Sequence, residues 1–301
     1  MSIKQAEYYL LDVFTDEKYG GNPLAIFPDA SAINEHLFQK IAREMNLSET
    51  VFLFPPKENS NYSMRIFTPE KELPTAGHPT VGTAYYMARM HNLAKEGSLK
   101  ITLNQPIGSV DVFVEFEDHH PAMVTMHHPL PVFGPTHNEK AWQVAELLSL
   151  DIEDLDDLPI EEVSCGNNTL IVPLKSVEAL GKIRFRPHLW DNLRSEFNKS
   201  IVYTFTKTGV KDGDVQGRMF GPEVGILEDP ATGSANGPLI SYLTKHQLVS
   251  GPILSLQGCE MGRRSKLHLD ADVDSQGNIT AVKVGGKCVF VGKGFHFLEL
   301  M

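Results

Sequence analysis

Residues 73–82 read LPTAGHPTVG, and the place of the histidine in that stretch decides how the chain divides. Gly77 and the Pro79-Thr80 pair flank His78, just ahead of TVGTAYYMARM, a run that predicts a helix. A glycine-loosened helix entrance packs an imidazole poorly. It is a good place to hold an anion or to move a proton.

The same arrangement recurs downstream. PTAGHP at 74–79 is answered by PATGSA at 230–235, with proline and glycine in matching places and a three-residue insertion before the second copy. RIFTPE at 65–70 is answered by RMFGPE at 218–223, and GNPLAIFP at 21–28 by GNNTLIVP at 166–173. Three matched blocks in one order imply two homologous halves of roughly 120–160 residues. The expected domains are 1–118, completed by 290–301, and 122–289, with the seam near DHHP at 118–121. The two helices starting at AGHP and TGSA are then expected to face one another across a cleft.

Coarse patterning supports an α+β reading. YYLLDVF, TVFLF, YSMRIF, LKITL and SVDVFVEF predict strands in the first half, and HLFQKIAREM has apolar residues at helical spacing. TLIVPL, SIVYTFT, ILSLQG and KLHLDADV predict strands in the second half, with a helix over ANGPLISYLTKH. ITAVKV, CVFVG and FHFLEL are also strand-like, and the last is expected to cross back to the first half. DIEDLDDLPIEE, with seven acidic residues in twelve, reads as a solvated face or loop. GVKDGDVQG and GGKCVFVGKG fit no phosphate-binding pattern and read as hairpin turns.

Composition narrows the function. The 301 residues are 42% hydrophobic and 22% charged, with a net charge of −11, which describes ordinary globular cores. No Lys/Arg cluster offers a nucleic-acid or polybasic membrane surface. The start MSIKQAEYYLLDVF lacks a signal-peptide layout, and no apolar run approaches the ~20 residues of a membrane span. Cys165, Cys259 and Cys288 form no CxxC, so a reduced cytoplasmic setting is expected, with the thiols as small apolar fillers. His119, His120, His127 and His128 bracket a strand but lack a metal-ligand pattern, so no metal is expected.

At the two entrances, helix N-termini supply unpaired N–H groups and the positive end of the macrodipole. Gly77 and Gly233 lack the Cβ that would obstruct a ligand, and Pro79 is expected at the first helical position. Ser234 reads either as an N-cap or as a polar tip of an anion clamp. Asp229, five residues before it, reads either as a loop carboxylate capping nearby N–H groups or as an acid–base group. Glu49 in NLSETVFLF is either a strand-edge carboxylate in water or a desolvated one with its pKa raised toward proton-transfer use.

DVFTDEKYGGNPLA (12–25), NLSETVF (46–52), FTPEKELPTAGHPTVG (67–82) and EDPATGSANG (228–237) together resemble the PhzF family, the phenazine-biosynthesis isomerase-like proteins of the diaminopimelate epimerase fold. The resemblance implies two pseudo-symmetric domains, each a barrel-like sheet around a central helix, often in a homodimer. It also implies cofactor-independent chemistry on a small carboxylate-bearing, cyclic molecule. Glu49 matches the family's proton-shuttling glutamate; His78, Asp229 and Ser234 match its other polar site residues. Gly77 and Gly233 match its helix-start positions, and Asn22 lies in a family motif without an assigned role. Racemases and epimerases of the fold carry a cysteine at each helix entrance, where this chain has His78 and Ser234. An isomerase with one shuttling carboxylate is therefore expected, ahead of a racemase using Glu49 and His78 or a non-catalytic small-acid binder.

Overall fold

A helix that is apolar or small on every side must be enclosed. The helix Gly77–Met90 buries eleven of its fourteen residues, and Gly233–Lys245 buries ten of thirteen. In the computed structural model each packs against strands of its own half of the chain. The structure describes residues 4–298 apart from 57–60, 92, 94–96 and 223–224; Glu223 of RMFGPE and the last three residues lie outside these. Two compact units are present, residues 1–126 with 285–301, and residues 127–284.

The first unit contains β1 (Lys4–Val13), β2 (Asn22–Phe27), α1 (Phe38–Met45), β3 (Glu49–Phe54), β4 (Ser63–Phe67), β5 (Glu72–Leu73), α2 (Gly77–Met90), β6 (Ser98–Gln105), β7 (Gly108–Glu117) and β8 (His120–His128). The C-terminal strand Cys288–Leu298 pairs antiparallel with β1. From there β1 pairs antiparallel with β2, β2 parallel with β3, and β3 antiparallel with β4. β4 pairs antiparallel with β5 and parallel with β6, which runs antiparallel to β7. Helix α2 packs on β1, β2, β3, β6 and β7.

The second unit contains β9 (Val132–Thr136), α3 (Ala141–Leu148), β10 (Glu161–Ser164), β11 (Asn168–Pro173), α4 (Val177–Lys182), α5 (Pro187–Leu193), β12 (Ile201–Thr206), β13 (Val215–Gly221), β14 (Ile226–Asp229), α6 (Gly233–Lys245), β15 (Ile253–Gln257), β16 (Ser265–Val273) and β17 (Ile279–Gly286). Its pairings β10–β11, β11–β12, β12–β13, β13–β14, β13–β15 and β15–β16 are antiparallel, parallel, antiparallel, antiparallel, parallel and antiparallel. That is the order of the first unit, and α6 enters between β14 and β15 as α2 does between β5 and β6. The repeat read from three short blocks is a repeat of topology.

The arginines of the RIFTPE and RMFGPE blocks show what the repeat preserves. Arg65 makes a bidentate pair with Glu72 at 2.7 Å on both bonds, with its guanidinium 5.2 Å from the Phe67 ring. Arg218 makes the same pair with Glu228 at 2.8 Å, 5.1 Å from the Phe220 ring. Each joins the strand before the turn to the strand leading into the central helix. Phe27, Phe38, Phe52 and Phe67 form an aromatic core of the first unit, with Phe38 and Phe52 stacked at 4.3 Å. Trp190, Phe197 and Phe220 anchor the corresponding core of the second unit.

Three expectations need correction. The acidic run does not end as a solvated loop: Glu161 and Glu162 open β10 and are buried. Glu161 is bonded by Lys245 and His246 at the end of α6, and Glu162 accepts from Asn198 at 2.6 Å with His137 at 2.8 Å. GGKCVFVGKG is not a hairpin turn; apart from Lys287 it lies in β17 and the C-terminal strand. DHHP forms the tight β7–β8 turn, with Asp118 and His119 at positive φ, inside a hairpin of the first unit. Among the described residues no helix is long and apolar enough to cross a membrane.

Candidate active site

In the first unit, three chain segments converge on the start of α2. Helix α1 ends at Asn46 in a left-handed conformation (φ 51°), and three residues later Glu49 opens β3. The parallel register sets Glu49 beside Leu24 of β2, and the antiparallel one sets Asn22 beside Val13 of β1. His78 is the second residue of α2. Oε2 of Glu49 lies 3.3 Å from Nδ1 of His78, and Nδ2 of Asn22 lies 3.1 Å from the same nitrogen. All three side chains are buried, Glu49 being 7% exposed.

That contact is not an ion pair. Burial pushes His78 down to about 3, so the ring is neutral at physiological pH. With the Asn22 amide donating, Nδ1 is the acceptor and the ring proton sits on Nε2. Among the described residues Nε2 has no hydrogen-bond partner. His78 therefore presents one N–H donor, held by Asn22, beside a buried carboxylate. Chemically the pair offers a hydrogen-bond donor beside a carboxylate able to accept a proton.

The helix start itself is open. Ala76 is the N-cap and offers no side-chain acceptor. The first backbone bond of the helix runs from Thr80 N to Ala76 O, reinforced by the Thr80 hydroxyl at 2.6 Å. Gln105, the last residue of β6, donates to that hydroxyl at 2.8 Å. The N–H groups of Gly77 and His78 precede this ladder. Pro79 is the third helical residue rather than the first, yet still falls where its missing N–H costs no intrahelical bond. Neither Gly77 nor Gly233 adopts a positive φ, so what each offers a ligand is the missing Cβ.

The second unit repeats the construction with different side chains. Asp229 ends β14, is 4% exposed, and accepts from the Thr232 hydroxyl at 2.6 Å. Thr232, not Ser234, is the N-cap of α6, and it makes no side-chain cap bond. Ser234 is the second helical residue and half-buried, in the place that His78 holds in α2. Gln257, the last residue of β15, bonds to Thr232 and to Asn236, whose own amide donates to Thr232 O at 2.9 Å. Tyr203 donates to Asn236 at 3.3 Å.

Gln105, Thr80, Thr232, Asn236, Gln257 and Tyr203 were not singled out from the sequence. A signal existed: ITLNQP at 101–106 and ILSLQG at 253–258 are a fourth repeat block, matching at isoleucine and glutamine. The cysteines take no part in either entrance. Cys165 and Cys288 are buried and pushed up to about 11 and about 12 by desolvation, while Cys259 is partly exposed rather than a buried filler. Among the described residues no three His, Cys, Asp or Glu side chains group as a metal site.

Comparison with known proteins agrees with this architecture. The family profile of phenazine biosynthesis-like proteins, PhzC-PhzF, matches residues 11–294. The chain belongs to the PhzF family. It is 34% identical to the trans-2,3-dihydro-3-hydroxyanthranilate isomerase of Pseudomonas fluorescens over 290 residues, covering 95% of this chain and 98% of that one. An uncharacterised isomerase of Clostridium acetobutylicum is also 34% identical, over 97% of this chain and 98% of its own. The crystal structure of the Bacillus anthracis PhzF-family phenazine biosynthesis protein superposes with a TM-score of 0.88 at 24% identity, covering 98% of this chain and 100% of the other. The fold is the diaminopimelate epimerase-like one, and the PhzF-family chain is an isomerase.

Proposed function

We propose that this isomerase moves a proton within a small, cyclic, carboxylate-bearing molecule of the dihydro-hydroxyanthranilate type, with Glu49 as the shuttle and without a cofactor. The observation that carries the reading is the buried Glu49 carboxylate 3.3 Å from a neutral His78. Glu49 takes a proton from one ring carbon, the electron pair shifts along the conjugated system, and the protonated Glu49, after exchange with solvent, delivers a proton at another carbon. No electron is gained or lost. Nε2–H of His78 donates to a polar substituent as charge develops, and Asp229 is the corresponding polar group of the α6 entrance. An anionic group is taken by the uncapped N–H groups of a helix start, those at Gly77 in α2 or those at Gly233 with the Ser234 hydroxyl in α6.

One positioned acid–base group contributes about 10²–10⁴-fold, and orientation supplies the remainder. A two-base racemase needs its bases on opposite faces of one carbon. Glu49 and His78 are in contact, and the imidazole is held neutral, so this pair suits one-sided shuttling.

The test is turnover of trans-2,3-dihydro-3-hydroxyanthranilate in D₂O. Deuterium entering the product at a new carbon, and its loss in Glu49→Gln, are expected. Unchanged turnover by that variant would exclude Glu49 as the base, and inversion without a change of connectivity would favour epimerisation.

A further inference from the structure

Both central helices begin without a side-chain cap, and they reach that state by different means. In α2 the N-cap is Ala76, which has nothing to cap with. In α6 the N-cap is Thr232, a residue that ordinarily turns its oxygen onto the N–H of the second or third helical residue. Here it does not. Its hydroxyl donates backward to Asp229 Oδ2 at 2.6 Å, and its oxygen accepts from Gln257 Nε2 at 3.0 Å.

Gln257 is built to hold that arrangement. It is fully buried at the end of β15. Its Nε2 also donates to the Asp229 carbonyl at 2.8 Å, while its Oε1 accepts from Thr232 N at 3.2 Å and Asn236 Nδ2 at 3.0 Å. Gly258 follows at φ +71°, where a Cβ would meet Pro230 O at 2.6 Å, so the backbone beyond Gln257 is seated against the Asp229–Thr232 turn. One amide thus binds the backbone and the hydroxyl of the residue that touches Asp229.

We propose that Gln257 is a positioning residue for the reaction: it keeps the Thr232 hydroxyl on the Asp229 carboxylate and off the start of α6. This rests on the reading of Asp229 and the α6 entrance as parts of the substrate site. Two effects follow from one side chain. Asp229 is oriented, and the N–H groups at Gly233 and Ser234 stay open to an anion, as those of α2 do behind Ala76. Gln105 is its first-unit counterpart, but among the described residues its side chain bonds to Thr80 rather than to the cap residue Ala76, which needs no restraint.

The test uses the full chain with Q257M, T232V, T232S and the double variant Q257M/T232V. Amide exchange read by NMR needs no substrate. In Q257M the freed hydroxyl caps the helix, and exchange at Ser234 slows by about fivefold; the double variant, having no hydroxyl, returns to the wild-type rate. With trans-2,3-dihydro-3-hydroxyanthranilate, Q257M raises KM and the double variant restores it. T232V lowers kcat about tenfold with KM within about threefold, and T232S recovers most of kcat. Unchanged exchange in Q257M, or equal slowing in the double variant, overturns the proposal. If Q257M does not fold, wild-type kcat in T232V overturns it. A wild-type chain inert toward this compound would count against the proposed substrate class, while the exchange measurements would still decide the role of Gln257.

Discussion

Nδ1 of His78 is shared between two neighbours, Asn22 Nδ2 at 3.1 Å and Glu49 Oε2 at 3.3 Å. A neutral imidazole nitrogen with one lone pair accommodates only one of them as a donor at a time. While Asn22 donates, an ionised Glu49 faces the Nδ1 lone pair and gains nothing from it. A protonated Glu49 can donate to Nδ1 instead. The triad therefore has two proton arrangements of similar geometry, which supports the proposed shuttle.

Asn22 is accordingly expected to set the tautomer. Asn22→Asp replaces the donor with an acceptor, draws the ring proton onto Nδ1 and removes the N–H from Nε2. A loss of about 10–100-fold in kcat is expected, with little change in KM, because the donor acts on charge that develops in the transition state. The ¹⁵N shifts of His78 should report the exchanged tautomer. Unaltered shifts and kcat would show that Asn22 does not control the ring.

Acid should destabilise the fold through buried histidines. His78 is pushed down to about 3 and His128, whose ring packs against Gly237, to about 4, in both cases mainly by burial. The unfolded chain binds these protons below about pH 6.5, while the folded chain refuses them. Stability contributed by the neutral rings is thus complete above pH 6.5 and is lost as pH falls from 6.5 toward 4 and then 3. Each ring contributes a slope of about 1.4 kcal/mol per pH unit within its window. Denaturant midpoints of His78→Gln measured from pH 7 to pH 4 should show a slope smaller by about one proton than the wild type.

The sequence revealed the repeat because helix entrances and turns use residues with few substitutes: glycine, proline and an arginine paired across strands. His78 was legible for the same reason, Glu49 was left with two readings until the family motif chose between them, and Asn22 entered only with that motif, though all three sit at the first or second position of an element. The supporting amides were not. Gln105 and Gln257 end ordinary-looking strands, and a glutamine's role depends on what it meets across the fold. The buried Glu161 and Glu162 were misread because local charge density carries no information about Lys245, His246 or His137. Propensity located the elements; long-range pairing decided which polar residues are inside.

The matched arginines should differ in energetic weight. Arg218 is 7% exposed, and besides Glu228 it donates to Leu180 O at 2.8 Å and Ile183 O at 3.4 Å. Arg65 is more open to water and its partner Glu35 is largely solvated. Removing a buried partner leaves Glu228 desolvated and two carbonyls short of a donor, costing about 3–5 kcal/mol. The half-exposed pair is worth about 1 kcal/mol. Urea denaturation should therefore show Arg218→Met far less stable than Arg65→Met. Equal losses would mean that exposure does not separate the two.

Gly82 lies one turn beyond His78 on α2, where a Cβ would come within 2.5 Å of Leu24 Cδ2 and 2.8 Å of Val13 Cγ2. Two effects oppose each other in Gly82→Ala. Helix propensity favours alanine by about 0.5–1 kcal/mol. Forcing the methyl into a filled site costs about 1–3 kcal/mol, and the displaced groups belong to the strands that flank Asn22, since Val13 pairs with Asn22 and Leu24 lies two residues along β2. Overpacking should win. The expected result is a lower urea midpoint together with a fall in kcat, because any shift of α2 away from β2 lengthens the Asn22–His78 contact. A Gly82→Ala variant as stable and active as the wild type would show that this face of α2 yields without moving the site.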